Sequence, residues 1–346
     1  MAERLTADER LTYAGAGVDR ERIAAALADA APGIRETFSA RVLGDGGQFS
    51  GLFHLGGFRD PVLVSTIDGI GTKAVLAREA GRLDVAGRDA IVHGVNDVAV
   101  LGATPLLALD YLAASRLETG DLAALLDGIT AACREEGVAL IGGETSQMPG
   151  VYTDRGLDVV ACVIGVVERD GLADGARIRP GDVLIGLASA GLHTNGFSLV
   201  REIMTRRGWV LDTVPDGLAM PLGEALLAPH RSYRLPLRAL AKAGWLKGAA
   251  HITGGGIAAN LVRILPEGRR ARLAPGSWPV PRVFSTLQAG GRVDDREMAA
   301  TFNMGVGMIV VVPKERGRLA MDICRANGAE AWIIGSVTSG ERGVEW

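Results

Sequence analysis

The chain has 346 residues, 48% of them hydrophobic and 22% charged, and its 37 basic and 40 acidic residues leave a formal charge of −3. That length exceeds what one hydrophobic core usually fills, so two domains are expected. The mixed and nearly balanced charge excludes the basic stripe of a nucleic-acid binder and an acidic disordered tail.

The opening segment MAERLTADER is polar and lacks the apolar centre of a signal peptide. The longest apolar stretch, 159–167, falls far short of the ~20 residues that cross a bilayer. Cys133, Cys162 and Cys324 lie far apart with no CxxC spacing, which points to a reducing compartment and a cytoplasmic protein. Glycine is the compositional outlier: 48 residues, about twice the usual share of ~7%. Without a collagen period, the excess serves turns or backbone brought close to a ligand.

In chain order, residues 1–60 read as irregular, with glycine clusters at 15–17 and 44–51. PVLVSTI (61–67) predicts a strand, 88–101 a helix, PLLALDYLAA (105–114) a strand and 121–136 an amphipathic helix. VALIG (138–142) and the β-branched LDVVACVIGVVE (157–168) predict two more strands. The polar, Gly/Pro-containing stretch 169–182 reads as the boundary, giving domains 1–170 and 171–346. Beyond it come a strand (183–189), a helix (196–207), helical segments in 224–243 and a helix after Gly256. MIVVV (308–312), a helix at 315–326 and AWIIGSV (331–337) follow. The expectation is a mixed α/β (α+β) protein of two domains.

Four segments set an acid or histidine among glycines beside apolar secondary structure. In STIDGIGTK (65–73), Asp68 directly follows an apolar strand and precedes Gly69, Gly71, Thr72 and Lys73. A carboxylate there can hold a hard cation while glycine amides approach phosphate oxygens, although Asp-Gly is also an ordinary turn dipeptide. In HGVNDVAVLGA (93–103), Asn96 and Asp97 interrupt a helix that is apolar nearly all round, where an unpaired carboxylate would be costly. In IGGETSQMPG (141–150), Glu144 follows a strand, Gly142 and Gly143, and precedes Thr145. Asp68, Asp97 and Glu144 together would form an oxygen-rich cluster suited to Mg²⁺ and a substrate phosphate.

The fourth segment, ASAGLHTNGFSLV (188–200), places His193 before Thr194 or Asn195 as a helix N-cap. His193 could act as acid, base or hydrogen-bond donor to developing phosphate charge, or be structural. His54, His93, His230 and His251 have no comparable support. In HITGGGIAAN (251–260), Gly254, Gly256 and Ala259 match a relaxed dinucleotide fingerprint, but no acid lies near twenty residues downstream. A phosphate turn through Gly254, Gly255 and Gly256 explains the same residues. No Walker motif is present.

Taken together, TYAGAGVD (12–19), DGIGTK (68–73), VNDV (95–98), GGETSQMPG (142–150), GLHTNG (191–196), HITGGG (251–256) and TFNMGVGM (301–308) resemble the phosphoribosylformylglycinamidine cyclo-ligase family of purine biosynthesis. The resemblance implies a homodimer paired through its amino-terminal sheets. It also implies ATP-driven ring closure: the formamide oxygen of a ribonucleotide substrate is phosphorylated, an amidine nitrogen attacks, and phosphate leaves. On the same resemblance, Asp68, Asp97 and Glu144 form the magnesium and ATP-phosphate set, with Lys73 and Asn96 as polar partners. Catalysis then falls to His193, Asp97 and Lys73. Gly69, Gly71, Thr72, Gly142, Gly143, Thr145, Asn195 and Gly254–Gly256 line the nucleotide. No nucleic acid or membrane partner is expected. Two departures stand out: Asp45 and Gln48 in the glycine loop 44–53, and Gln147 where the family usually has an acid. Thiamine-phosphate kinase and selenophosphate synthetase share such an acidic ATP site. A nicotinamide-dependent oxidoreductase and a non-catalytic nucleotide sensor are the alternatives from other classes.

Overall fold

A computed structural model describes residues 11–154 and 156–346. The polar opening segment 1–10 lies outside the described residues. The first half contains α1 (Arg20–Arg35), β1 (Val42–Leu43), β2 (Leu52–Phe53), β3 (Pro61–Gly69), α2 (Lys73–Glu79), α3 (Leu83–Ala99), β4 (Thr104–Ala114), α4 (Thr119–Glu136), β5 (Ala139–Gln147) and β6 (Leu157–Glu168). Four of these strands form a sheet in the order β3-β6-β4-β5, antiparallel except for the β4–β5 pair.

The periodicity of β6 explains the shape of this sheet. Leu157, Val159, Ala161 and Val163 are buried, while Asp158, Val160, Cys162 and Ile164 alternate with them and are half-buried. The buried set packs against α3, and α4 lies beside α3. Glycine permits that close helix pair: a Cβ on Gly128 would sit 1.9 Å from the Asp84 carbonyl oxygen, and one on Gly87 2.2 Å from that of Leu125. Among the described residues, no helix covers the other sheet face. Leu63 and Ile67 of edge strand β3 are 61% and 70% exposed there.

Residues 1–60 are not irregular throughout. Asp19 caps α1 by accepting from Arg22 N–H at 3.0 Å, and the helix tolerates Pro32 within its last turn. Strand β5 also runs past its expected end, so Glu144 lies within a strand rather than after one.

The second half contains β7 (Val183–Ala188), α5 (Phe197–Arg207), α6 (Leu222–Leu226), α7 (Arg234–Lys242), β8 (Gly248–His251), α8 (Gly256–Leu261), β9 (Arg269–Leu273), α9 (Arg282–Gly291), α10 (Asp295–Thr301), β10 (Val306–Val312), α11 (Gly317–Ala326), β11 (Ala331–Ser339) and β12 (Gly343–Glu345). Its six strands run β12-β9-β11-β7-β10-β8. Strand β10 is buried along its whole length, as its unbroken apolar run requires of a strand covered on both faces. The expected cap at Thr194 or Asn195 is not used. α5 begins at Phe197, and the cap position is Gly196, with a left-handed φ of 85° and no side-chain hydrogen bond. Among the described residues, no helix is long and apolar enough to cross a membrane.

The two halves share one core. Ala74 and Leu76 of the first half belong to the same apolar cluster as Leu192, Phe197, Leu222, Phe284 and Phe302 of the second. A polar latch runs beside it. Lys73, 0% exposed, donates from Nζ to Asp89 Oδ2 at 2.5 Å, to the His193 carbonyl at 2.9 Å and to the Ala228 carbonyl at 3.3 Å. Asp89 Oδ1 accepts from His230 N–H at 2.8 Å. Asn96 donates to the Arg231 carbonyl at 2.9 Å and accepts from Tyr233 N–H at 2.8 Å.

Removing one partner of a buried pair strands the other charge, at a cost of about 3–5 kcal/mol. Lys73→Met is therefore expected to lower the first urea-unfolding midpoint sharply. Arg169→Ala, which opens the exposed Arg169–Asp60 pair at 2.8 Å, is expected to cost less than about 1 kcal/mol. Equal midpoints for the two variants would contradict the latch.

Candidate active site

Four of the sequence motifs, those of Asp68, Asp97, His193 and His251, meet where the C-terminal ends of β3 and α3 face the second half. Asp68 ends β3 and accepts from Gly69 N–H at 2.7 Å. Asp97 lies in the last turn of α3 and accepts from Thr66 Oγ1 at 3.4 Å. His93, one helical turn before Asp97, joins them: its Nε2 is 3.1 Å from Asp68 Oδ2 and 3.6 Å from Asp97 Oδ2. From the second half, His251 at the end of β8 reaches Asp97 Oδ1 with Nδ1 at 2.7 Å. Thr194 Oγ1 meets His93 Nδ1 at 2.8 Å.

Four of the five histidines therefore share one buried cluster. His193 stacks on His230 with ring centroids 4.0 Å apart, and His230 Nε2 lies 3.0 Å from His251 Nε2. Only His193 was singled out in the sequence. The other three come from a helix, a loop and a strand end with no shared spacing, so no local pattern could have revealed them. His193 also holds a φ of 63°, uncommon for a residue with a side chain.

The electrostatics divide this cluster in two. Its close contact with His93 holds the Asp68 carboxyl below the usual range. Burial alone would raise Asp97, but the bond to His251 and the charge near His93 bring it below its ordinary value. Burial likewise opposes a charge on His93, yet Asp68, Asp97 and Asp89 together push it up. Burial pushes His193 and His230 well down and lowers His251 despite Asp97. The carboxylates at the rim are ionised, and the three inner rings are neutral at pH 7.

Several expected residues stand elsewhere. Lys73 does not face open space, because its three protons are spent in the latch. Asn96 is likewise consumed by backbone groups of the second half. Glu144 does not join Asp68 and Asp97 within one chain. Asp68, Ala161, Asp110 and Gly143 occupy one row across the sheet, so Glu144 lies three strands from β3, roughly 14 Å, and one residue out of step. It therefore points from the uncovered face. Gly142, Gly143 and Thr145 share β5 with it. Gly71 has open space around it, with a φ of 55°. Thr72 Oγ1 meets Ser198 Oγ at 3.1 Å. Asn195 lies against Gly254, where an added Cβ would approach its Oδ1 to 3.2 Å. Gly255 and Gly256 have φ values of 94° and 67°, and a Cβ on Gly256 would strike the Ala299 carbonyl at 1.8 Å.

A cavity of about 1090 Å³ is lined by none of the three carboxylates Asp68, Asp97 and Glu144; Leu211, Leu218, Met220 and Pro221 line it, together with Gly191 and Pro229. A smaller one, about 290 Å³, lies at the β5 edge between Phe38, Asp110, Leu140 and Glu144. Burial pushes the Asp110 carboxyl up to about 7.

Two family descriptions match the chain: "AIR synthase related protein, N-terminal domain" over residues 56–167 and "AIR synthase related protein, C-terminal domain" over residues 179–346. Among curated proteins, a phosphoribosylformylglycinamidine cyclo-ligase of Myxococcus xanthus is 44% identical over 333 residues, spanning 95% of this chain and 96% of that protein. That of Shouchella clausii is 44% identical over 332 residues, with 95% and 96% spanned. Among solved structures, thiamine-monophosphate kinase from Stenotrophomonas maltophilia superposes with a TM-score of 0.69 at 20% identity, covering 92% of this chain and 95% of that one. Hydrogenase maturation protein HypE in complex with ATP gives 0.65 at 21%, covering 88% and 84%. These two likenesses show a common fold.

The raised Asp110 carboxyl carries a pH signature. The unfolded chain releases this proton near pH 4 and the folded chain near 7, so between these values the native state binds more protons and stability falls as pH rises. Asp110→Asn is expected to stabilise the protein at pH 8, by up to a few kcal/mol, with the gain shrinking toward pH 4–5. A gain that is the same at both pH values would show the carboxyl to be ordinary.

Proposed function

Because the chain belongs to the phosphoribosylformylglycinamidine cyclo-ligase family, it catalyses the ATP-dependent cyclisation of formylglycinamidine ribonucleotide to aminoimidazole ribonucleotide in purine biosynthesis, and we propose that Asp68 and Asp97 hold the magnesium of the ATP complex. The supporting observation is their meeting around His93, 3.1 and 3.6 Å from its Nε2. Both are ionised oxygen donors, with side chains 52% and 25% exposed, a set that suits a hard cation which keeps part of its water shell. When bound, magnesium would neutralise phosphate oxygens and orient the terminal phosphoryl group.

The residues of the chain then have separate tasks. The substrate's formamide oxygen takes the terminal phosphoryl group as the bond to ADP breaks. The amidine nitrogen attacks the activated carbon, the C–N bond forms, and the C–O bond breaks as phosphate leaves with loss of one proton. His193 is neutral and buried, and its Nδ1 has no partner among the described residues. We assign it as hydrogen-bond donor to charge developing on a transferred oxygen. Lys73 is assigned a positioning role instead of a catalytic one, since it grips the His193 carbonyl at 2.9 Å. Asn96 positions the Arg231–Tyr233 segment in the same way. The turns at Gly69, Gly71 and Thr72, and at Asn195 and Gly254–Gly256, are assigned to phosphate oxygens.

The uncovered sheet face supports a homodimer. Leu63 and Ile67 are exposed on it, beside the half-buried Val160, Cys162, Ile164, Leu109 and Tyr111. Glu144, Gly142 and Thr145 belong to the same sheet's far edge, and we assign them to the composite site that pairing of two such faces would build. A cytoplasmic setting suits the three free thiols, Cys133, Cys162 and Cys324.

Asp97→Asn is expected to raise the magnesium concentration for half-maximal ADP release by roughly tenfold or more; a magnesium curve like that of the unaltered enzyme would remove Asp97 from the metal site. Ile67→Asp places a charge on the pairing face and is expected to shift sedimentation from dimer to monomer. A monomeric unaltered protein would sink the dimer.

A further inference from the structure

The clustered histidines leave an imbalance of hydrogen bonds that fixes where their ring protons sit. Ala190 N–H can only donate, so His193 Nε2 accepts it at 3.1 Å and the neutral ring carries its proton on Nδ1. Asp97 Oδ1 can only accept, so His251 donates from Nδ1 at 2.7 Å and leaves Nε2 bare. That bare nitrogen lies 3.0 Å from His230 Nε2, which must then be the donor. His230 Nδ1 is left as a buried lone pair without a partner among the described residues.

One obvious use of three such rings fails. His193, His230 and His251 offer ring nitrogens within 4.8 Å of one another, close enough to suggest a shared transition metal. Yet the bond from Ala190 occupies one His193 nitrogen, and the proton on the other blocks it as a ligand. What survives is a directional chain, from His230 to His251 to Asp97. Asp97 then keeps Oδ2 turned toward Thr66 Oγ1, at 3.4 Å, and toward His93 Nε2, at 3.6 Å, the nitrogen that Asp68 also approaches.

We propose that His230 is a positioning residue for magnesium: its Nε2–H locks His251 in the tautomer that ties down Asp97 Oδ1, leaving Oδ2 for the cation, a role that rests on Asp97 being a metal ligand. A leucine would fill a similar volume without an unmet lone pair, but it could not donate to His251. The arrangement matches the way a hydrogen bond behind a ligand fixes its orientation, a contribution worth about 10–100-fold in metal affinity. Here the support comes from one residue further back. His230 also stacks on His193, so turnover alone would not isolate its effect.

Two measurements test this without relying on activity. The first is ¹⁵N NMR of histidine-labelled protein in the metal-free state near pH 7. The expected spectrum has His251 protonated at Nδ1 and His230 at Nε2; His251 protonated at Nε2 instead would overturn the proposal. The second is Mn²⁺ binding by electron paramagnetic resonance, with a non-hydrolysable ATP analogue present. His230→Leu is expected to weaken binding about tenfold, whereas His230→Gln, whose amide reaches the same donor position, is expected to restore it. Asp97→Asn separates the two levels of failure. If it binds Mn²⁺ normally, the assignment of Asp97 as ligand is lost. If it binds weakly while His230→Leu binds normally, only the role of His230 is lost.

Discussion

The site depends on one fully buried ion pair at the junction of the two halves of the chain. Lys73 and Asp89 both belong to the first half, yet most of their remaining bonds go to the second: the His193 and Ala228 carbonyls and the His230 amide. Burying two charges costs several kcal/mol each, and the pair persists only because hydrogen bonds meet nearly every remaining proton and lone pair. Those bonds exist only when the halves are docked. The same contacts that repay the burial also set the backbone of His193 and His230, so docking and site assembly are one event.

Docking also creates an electrostatic gradient. Four imidazoles pressed together could not all be charged, and burial next to Lys73 drives His193 and His230 to the neutral form. His93 differs because it alone touches two carboxylates, Asp68 and Asp97. The boundary between charged and neutral groups therefore falls within a few ångströms, along the line from His93 to His251. A triphosphate with its cation would meet ionised oxygen donors at the rim, and neutral donors or acceptors behind them. A fully cationic histidine cluster would instead compete with magnesium for the same phosphate charge.

Much of this was legible in the sequence, for reasons that differ residue by residue. Long apolar periods gave β4, β6, α4 and β10, because half-buried strands and helices show their burial directly in the chain. Asp68, Asp97 and His193 stood out in the sequence because glycine or apolar neighbours made an ionisable group conspicuous. Lys73 stood out for the same reason: a lysine behind a glycine turn suggests phosphate, and only the fold supplies Asp89 as its partner. Helix α1 was missed because Pro32 and Gly33 suggest a loop, while its cap at Asp19 is a single weak signal. His93, His230 and His251 could not be grouped at all, since what unites them is tertiary contact.

The uncovered sheet face and the stray position of Glu144 are two sides of the same constraint. A sheet with helices on one side must bury its other side or leave apolar residues in water, and an unprotected edge such as β3 invites pairing with another chain. Both requirements are met if a second copy covers the face. The alternating pattern of β6 then has a further consequence, because every residue one step out of register with Asp68 belongs to that second surface. Glu144 is such a residue. Its distance from Asp68 within the subunit is not a failure of the acidic motif but a result of the pleat, which sends neighbouring acids of one sheet to different compartments. A motif reader sees two glycine-flanked carboxylates as equivalent; the pleat turns one toward the second half of the chain and the other toward the uncovered face.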